Sequence, residues 1–178
     1  PSGPVISGSC ANGVQDDDET GVDCGGSCPF GCYTAPPCTP SPNTFELDTI
    51  PFLAFSDLDL TQPEYGGGFA AEADNAEGSV FVEIGTGILP DNSVIGVFRE
   101  IMETGGMGGN GQLEAHEVFL EFDFFNLPDD PTFVARAGEA YIEITATTVT
   151  IRACDVEFSA QGTAPNAIGS ASLSFRRN

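Results

Sequence analysis

From Phe45 onward the chain alternates apolar and polar residues in short runs, and this period of two restricts what it can become. In "SVFVEIG", Val80, Val82 and Ile84 fall on one face. In "EVFLEFDFF", Val118, Leu120, Phe122 and Phe124 oppose Phe119, Glu121, Asp123 and Phe125. "AYIEITA", "VTIRACDVEFSA" and "ASLSFRRN" continue the pattern, the last with Leu173 and Phe175 in phase. Turn-forming stretches, "LPDNS", "NLPDDP" and "QGTAPNA", separate the runs. No segment carries a helical stripe over ten or more residues; "VIGVFREIMET" comes nearest and suits a strand or a short helix. Many short strands at this spacing predict an all-β domain, a β-sandwich or jelly roll, over residues 45–178. With 14 Phe and no Trp, its core is expected to be aliphatic and phenylalanine-rich.

The preceding part differs. Residues 1–9 are small and apolar, with Val5 and Ile6 the only sizeable side chains. Residues 10–38 are rich in Cys, Gly and Asp, and 39–44 belong to a stiff Pro-rich connector, "APPCTPSP". The Cys-rich module is too short to own a hydrophobic core, so cross-links or ions must hold it. Four of the six cysteines lie between Cys10 and Cys32. Zinc is disfavoured: the one histidine, His116, is remote, and carboxylates surround the cluster without a basic residue to balance thiolates. Disulfides are expected, which places the protein outside the cytoplasm. Cys10, Cys24, Cys28 and Cys32 then pair among themselves in one of three ways. Cys38 and Cys154, which lie outside the cluster, pair with each other.

Charge narrows the partners. The chain carries 27 acids against five arginines and no lysine, a formal net charge of −22. Nucleic acid and anionic membranes are excluded as natural partners, since phosphate binding needs a basic footprint. Cations are the counterpart. In "DDDETGVD", Asp16, Asp18 and Thr20 stand at alternate positions before Gly21, like the front half of an EF-hand loop, but no glutamate follows at the twelfth position. A compact, cysteine-bounded calcium loop is expected instead, with Asp16, Asp18, Glu19 and Asp23 as ligands and Asn12 beside them.

The same stretch resembles a motif of secreted and surface proteins of Bacteroidota-type bacteria, C-x-N-G-x5-E-T-G-V-D-C-G-G-x-C-x3-C. Asn12, Gly13, Glu19, Thr20, Gly21, Val22, Asp23, Cys24, Gly25, Gly26, Cys28 and Cys32 all fall in place, while position 17 holds Asp where look-alikes often have Gly. The resemblance covers Cys10 to Cys32 only. It implies export and a small disulfide-linked module beside a larger β-domain.

Catalysis finds little footing. His116 sits within an alternating run as a strand-surface residue, and no G-x-S-x-G elbow is present. The glycine runs "EYGGGF" and "GGMGGNG" lack a following Lys-Ser/Thr and read as loops. The expected function is therefore non-enzymatic: adhesion, matrix, or a filament in which the Val5–Ile6 segment adds as a strand to another copy. The competing expectation is a carbohydrate-binding domain, with glycan as partner, and behind it a glycoside hydrolase. The absence of Trp and the presence of only three Tyr weigh against a sugar-stacking face.

Overall fold

A computed structural model defines the architecture and describes residues 12–16, 19–28, 31–48, 53–56, 58, 69–85, 92–95, 113 and 117–176. Eleven strands follow in order: β1 (Gly31–Cys32), β2 (Thr44–Leu47), β3 (Leu53–Ala54), β4 (Phe69–Asp74), β5 (Gly78–Ile84), β6 (Asn92–Ile95), β7 (Val118–Phe124), β8 (Thr132–Ala137), β9 (Ala140–Ile144), β10 (Thr148–Gln161) and β11 (Ala167–Arg176). Among the described residues there is no helix, and none long and apolar enough to cross a membrane. The period-two runs bury the faces the sequence predicts. Val80, Val82 and Ile84 of β5, Val118, Leu120, Phe122 and Phe124 of β7, and Leu173 and Phe175 of β11 all join one core.

Local chemistry sets the turns. Between β4 and β5, Asn75 N–H donates to Gly78 O at 2.9 Å, and Asn75 Oδ1 accepts the N–H groups of Glu77 (2.7 Å) and Gly78 (3.0 Å), so a side chain reinforces the backbone closure of the hairpin. Between β9 and β10, Thr145 Oγ1 accepts from Thr147 and Thr148 in the same manner.

All strand pairs are antiparallel. One path runs β1-β6-β9-β10-β8-β7-β5-β4, while β11 pairs with β10 and β2, and β2 with β3. The 14-residue β10 explains the branching. Its first half pairs with β9 and its second with β8, and β11 lies along the other edge of both halves. The two sheets expected of a sandwich are therefore continuous, and the sheet curls into a half-barrel. The curl brings β2 over β7, where the rings of Phe45 and Phe122 stack with centroids 3.5 Å apart and planes within 4°. Phe158 meets Phe45 edge-on, and Phe133 meets Phe124 in the same way.

A β-bulge between Ala153 and Val156 divides β10. Before it Val149, Ile151 and Ala153 face the core; after it Val156 and Phe158 do. Asp155, at φ 51°, is the inserted residue, and its N–H is held by Ser170 Oγ at 3.0 Å. In the alternation of the first half, Cys154 follows core-facing Ala153 and points to the outer face. There it forms a disulfide with Cys38, Cα–Cα 5.7 Å. The connector thus leaves β1 at one end of the order β1-β6-β9-β10-β11-β2, is pinned at β10, and reaches β2 at the other end. That crossing spans five interstrand steps, about 24 Å. The outer face there is covered: Thr44, Tyr141 and Ser172 alternate with core-facing neighbours and are nonetheless buried. The Cys-rich region also contributes β1 directly to the sheet, through Gly31↔Val94 and Cys32↔Ser93.

Candidate functional site: the acidic cysteine loop

The loop from Asn12 to Cys28 is built on glycines that its cross-link requires. Cys24 and Cys32 are joined, Cα–Cα 4.9 Å. A Cβ on Gly21 would lie 2.8 Å from both of their sulfurs, so the disulfide packs directly on that backbone. Gly25, at φ 71°, would drive a Cβ into Thr20 Oγ1. The N–H groups of Thr20 and Gly21 both reach Cys24 O at 3.2 Å, which tightens the turn between them. Cys28 is disulfide-bonded as well, and no described cysteine is free.

The carboxylates face this frame. Glu19 is only 6% exposed. Its Oε2 accepts the N–H groups of Asp16 (3.2 Å) and Asp23 (3.1 Å), while Oε1 lies 3.3 Å from the bonded sulfur of Cys28. Asp23, in the left-handed region at φ 55°, accepts Asn12 N–H on Oδ1 at 2.8 Å and Gly13 N–H on both oxygens, at 3.1 and 2.9 Å. Asn12 closes the circuit. Its Oδ1 accepts Val14 N–H at 2.8 Å, and its Nδ2 donates to Asp16 Oδ2 at 3.0 Å. Oxygen atoms that the acid run seemed to offer to an ion thus accept main-chain N–H groups of the loop, part-buried ones at Glu19 and exposed ones at Asp23.

Four members of the expected calcium set, Asn12, Asp16, Glu19 and Asp23, are therefore brought together. They converge on one another, and among the described residues no group of three or more His, Cys, Asp or Glu is placed to hold a metal ion. Asp18 lies outside the described residues, as do Cys10, His116, and Val5 and Ile6 of the expected assembly segment.

Sequence reasoning singled out neither of two other polar sites. On the outer face of β5, β7 and β8, Asp123 accepts from Ser79 Oγ at 3.0 Å and from Thr132 Oγ1, tying three strands through one carboxylate. The register that joins them, Ser79↔Asp123↔Thr132, cannot be read from any one run. Beside it, burial raises the pKa of Glu83, and burial with the charge of Asp123 raises that of Glu121. The second site is Tyr141, whose hydroxyl donates to Glu139 Oε2 at 2.6 Å. That hydrogen bond, with burial and the Glu139 charge, pushes the phenol up to about 12.

Comparisons with protein-family models, curated proteins and solved structures yield no match to this chain.

Proposed function

We propose that this chain is an exported, non-enzymatic structural protein, of the matrix, adhesion or self-assembling filament kind, whose partners are copies of itself or extracellular glycan and matrix. The observation that carries the reading is the Cys38–Cys154 cross-link, which fastens the neck of a disulfide-stapled module to the longest strand of the β-domain. Disulfides of this kind persist in oxidising surroundings. A domain whose N-terminal region is clamped in this way suits a role in holding other structures. The outer-face polar groups suit the same reading, because Asp123 and the buried Tyr141 are engaged as ties between or within elements.

Calcium is the cation this reading assigns to the module. Glu19 and Asp23 build the loop itself, so the oxygens for an ion come from Asp16, half-buried at the rim, and from Asp18. Extracellular calcium modules bind at about 10⁻⁴ to 10⁻³ M. By mass action, about 5 mM calcium then adds about 1 to 2 kcal/mol relative to chelator, read as a higher melting temperature. Superimposable melting curves overturn the calcium assignment.

The test of the function is made on native material. Denaturation without reductant in the presence of a thiol alkylator, with imaging of the extracellular fraction, is expected to find unlabelled Cys38 and Cys154 in surface-bound or polymeric particles. Recovery from a reducing compartment with both cysteines labelled overturns it.

A further inference from the structure

Cys38 and Cys154 are 116 residues apart in sequence and covalently joined. Tension that enters upstream of Cys38 and leaves downstream of Cys154 passes through the sulfurs and does not load residues 39–153. It loads the second half of β10 and then β11. Cys154 lies at the bulge, where Ala153 pairs with Ala171 and Val156 with Gly169, whereas β11 ends at Arg176, opposite Thr148. Entry and exit of the force are thus displaced along the strand, from Ala171 to Arg176, which is roughly 17 Å at about 3.4 Å per residue. The pull runs parallel to β11. It shears the hydrogen bonds of that strand together instead of opening them one after another.

β11 is held along both edges against such a pull. On one side it pairs with β10 from Ala167 to Arg176. On the other it pairs with β2 from Gly169 to Ser172, and the ladder is extended beyond β2 by single bonds. Ile168 O accepts from Asp48 N–H at 3.0 Å, Ser174 N–H reaches Asn43 Oδ1 at 3.0 Å, and Arg176 N–H reaches Leu58 O at 3.0 Å. Ala167, Ala171, Leu173 and Phe175 anchor its inner face in the core. Without the cross-link the pull, once past β1 and Cys38, is carried into β2, a strand of four residues.

We infer that the Cys38–Cys154 bond and β11 form a load-bearing shear clamp, which makes this protein a tension-carrying link. Its biological use rests on the structural function proposed above, while its mechanics are a property of the purified chain.

Single-molecule force spectroscopy on the full oxidised chain, held at its two ends, tests the clamp. After β1 leaves β6 at low force, the expected trace resists to high force and yields in one further event without releasing residues 39–153. The Cys38→Ser, Cys154→Ser double variant is expected to yield at lower force and to extend further by about 420 Å, from the 116-residue separation at about 3.6 Å per residue. A third arrangement places one handle on a non-natural side chain at Thr147 and the other at the C-terminus. It opens the β10–β11 pair bond by bond, and several-fold less force is expected. Equal forces in the end-to-end and Thr147 arrangements overturn the clamp, as does release of residues 39–153 from the oxidised chain. Either result leaves the location and particle measurements on native material untouched, so this inference and the function it rests on fail separately.

Discussion

Asp23 does at the residue scale what a folded module usually needs several groups to do. It adopts the left-handed conformation and holds the main chain at Asn12 and Gly13. Asn-Gly is chemically fragile, because glycine has no side chain to hinder its nitrogen from attacking the asparagine carbonyl, with loss of ammonia. Here Gly13 N–H is engaged by Asp23, and the Asn12 amide by Asp16 and Val14, so moving nucleophile and target into reaction breaks these bonds. Asp23→Ala is expected to speed conversion of Asn12 to aspartate and isoaspartate about tenfold or more, the factor that follows from losing charge-assisted hydrogen bonds. Peptide mapping after incubation at neutral pH measures it, and wild-type rates in the variant would refute the lock. Tyr141 gives a second prediction. Its pKa of about 12 lies above the ordinary value of 10. The stabilisation it carries is therefore fully present below pH 10 and lost as pH rises through about 12. Glu139→Gln is expected to move the phenol's ionisation down, read by ultraviolet difference absorbance.

Among the elements, period two showed the core-facing side of β5, β7 and β11 and nothing about which strand is the neighbour of each. Val80, Val82 and Ile84, or Leu173 and Phe175, were legible because burial alone decides their alternation. The continuity of the sheet was not, because it depends on β10 serving two partners in turn. A signal for the bulge does stand in "VTIRACDVEFSA": the apolar phase slips by one residue between Ala153 and Val156, and reading the run as one alternation hides it. Glu19 shows the same limit in the acidic loop. A carboxylate in an acid run looks like an ion ligand, and only the turn geometry around positive-φ Asp23 shows it facing inward. Gly78 offers a test of packing at this scale. A Cβ there would strike the carbonyl oxygen of Asp123 on β7 and the side chain of Leu53 on β3. Gly78→Ala is expected to cost about 1 to 3 kcal/mol through overpacking, measured as a lower denaturation midpoint with an unchanged slope.

For the whole molecule, one covalent bond joins regions that the sequence keeps far apart. Removing it with Cys38→Ser and Cys154→Ser is expected to lower stability by about 4 to 5 kcal/mol in loop-closure theory, checked by chemical denaturation; a loss below about 1 kcal/mol would show that the strap adds nothing to the folded state. The same bond also sets a timetable. Cys24 and Cys32 are separated by eight residues and can meet almost as soon as both exist. Cys38 must wait for a partner 116 residues later, roughly 6 to 23 s at synthesis rates of about 5 to 20 residues per second. Throughout that interval its thiol is open to wrong partners in the newly made module just upstream. The order in which cysteines emerge therefore makes Cys38 the point at which biogenesis of this protein is most exposed to error.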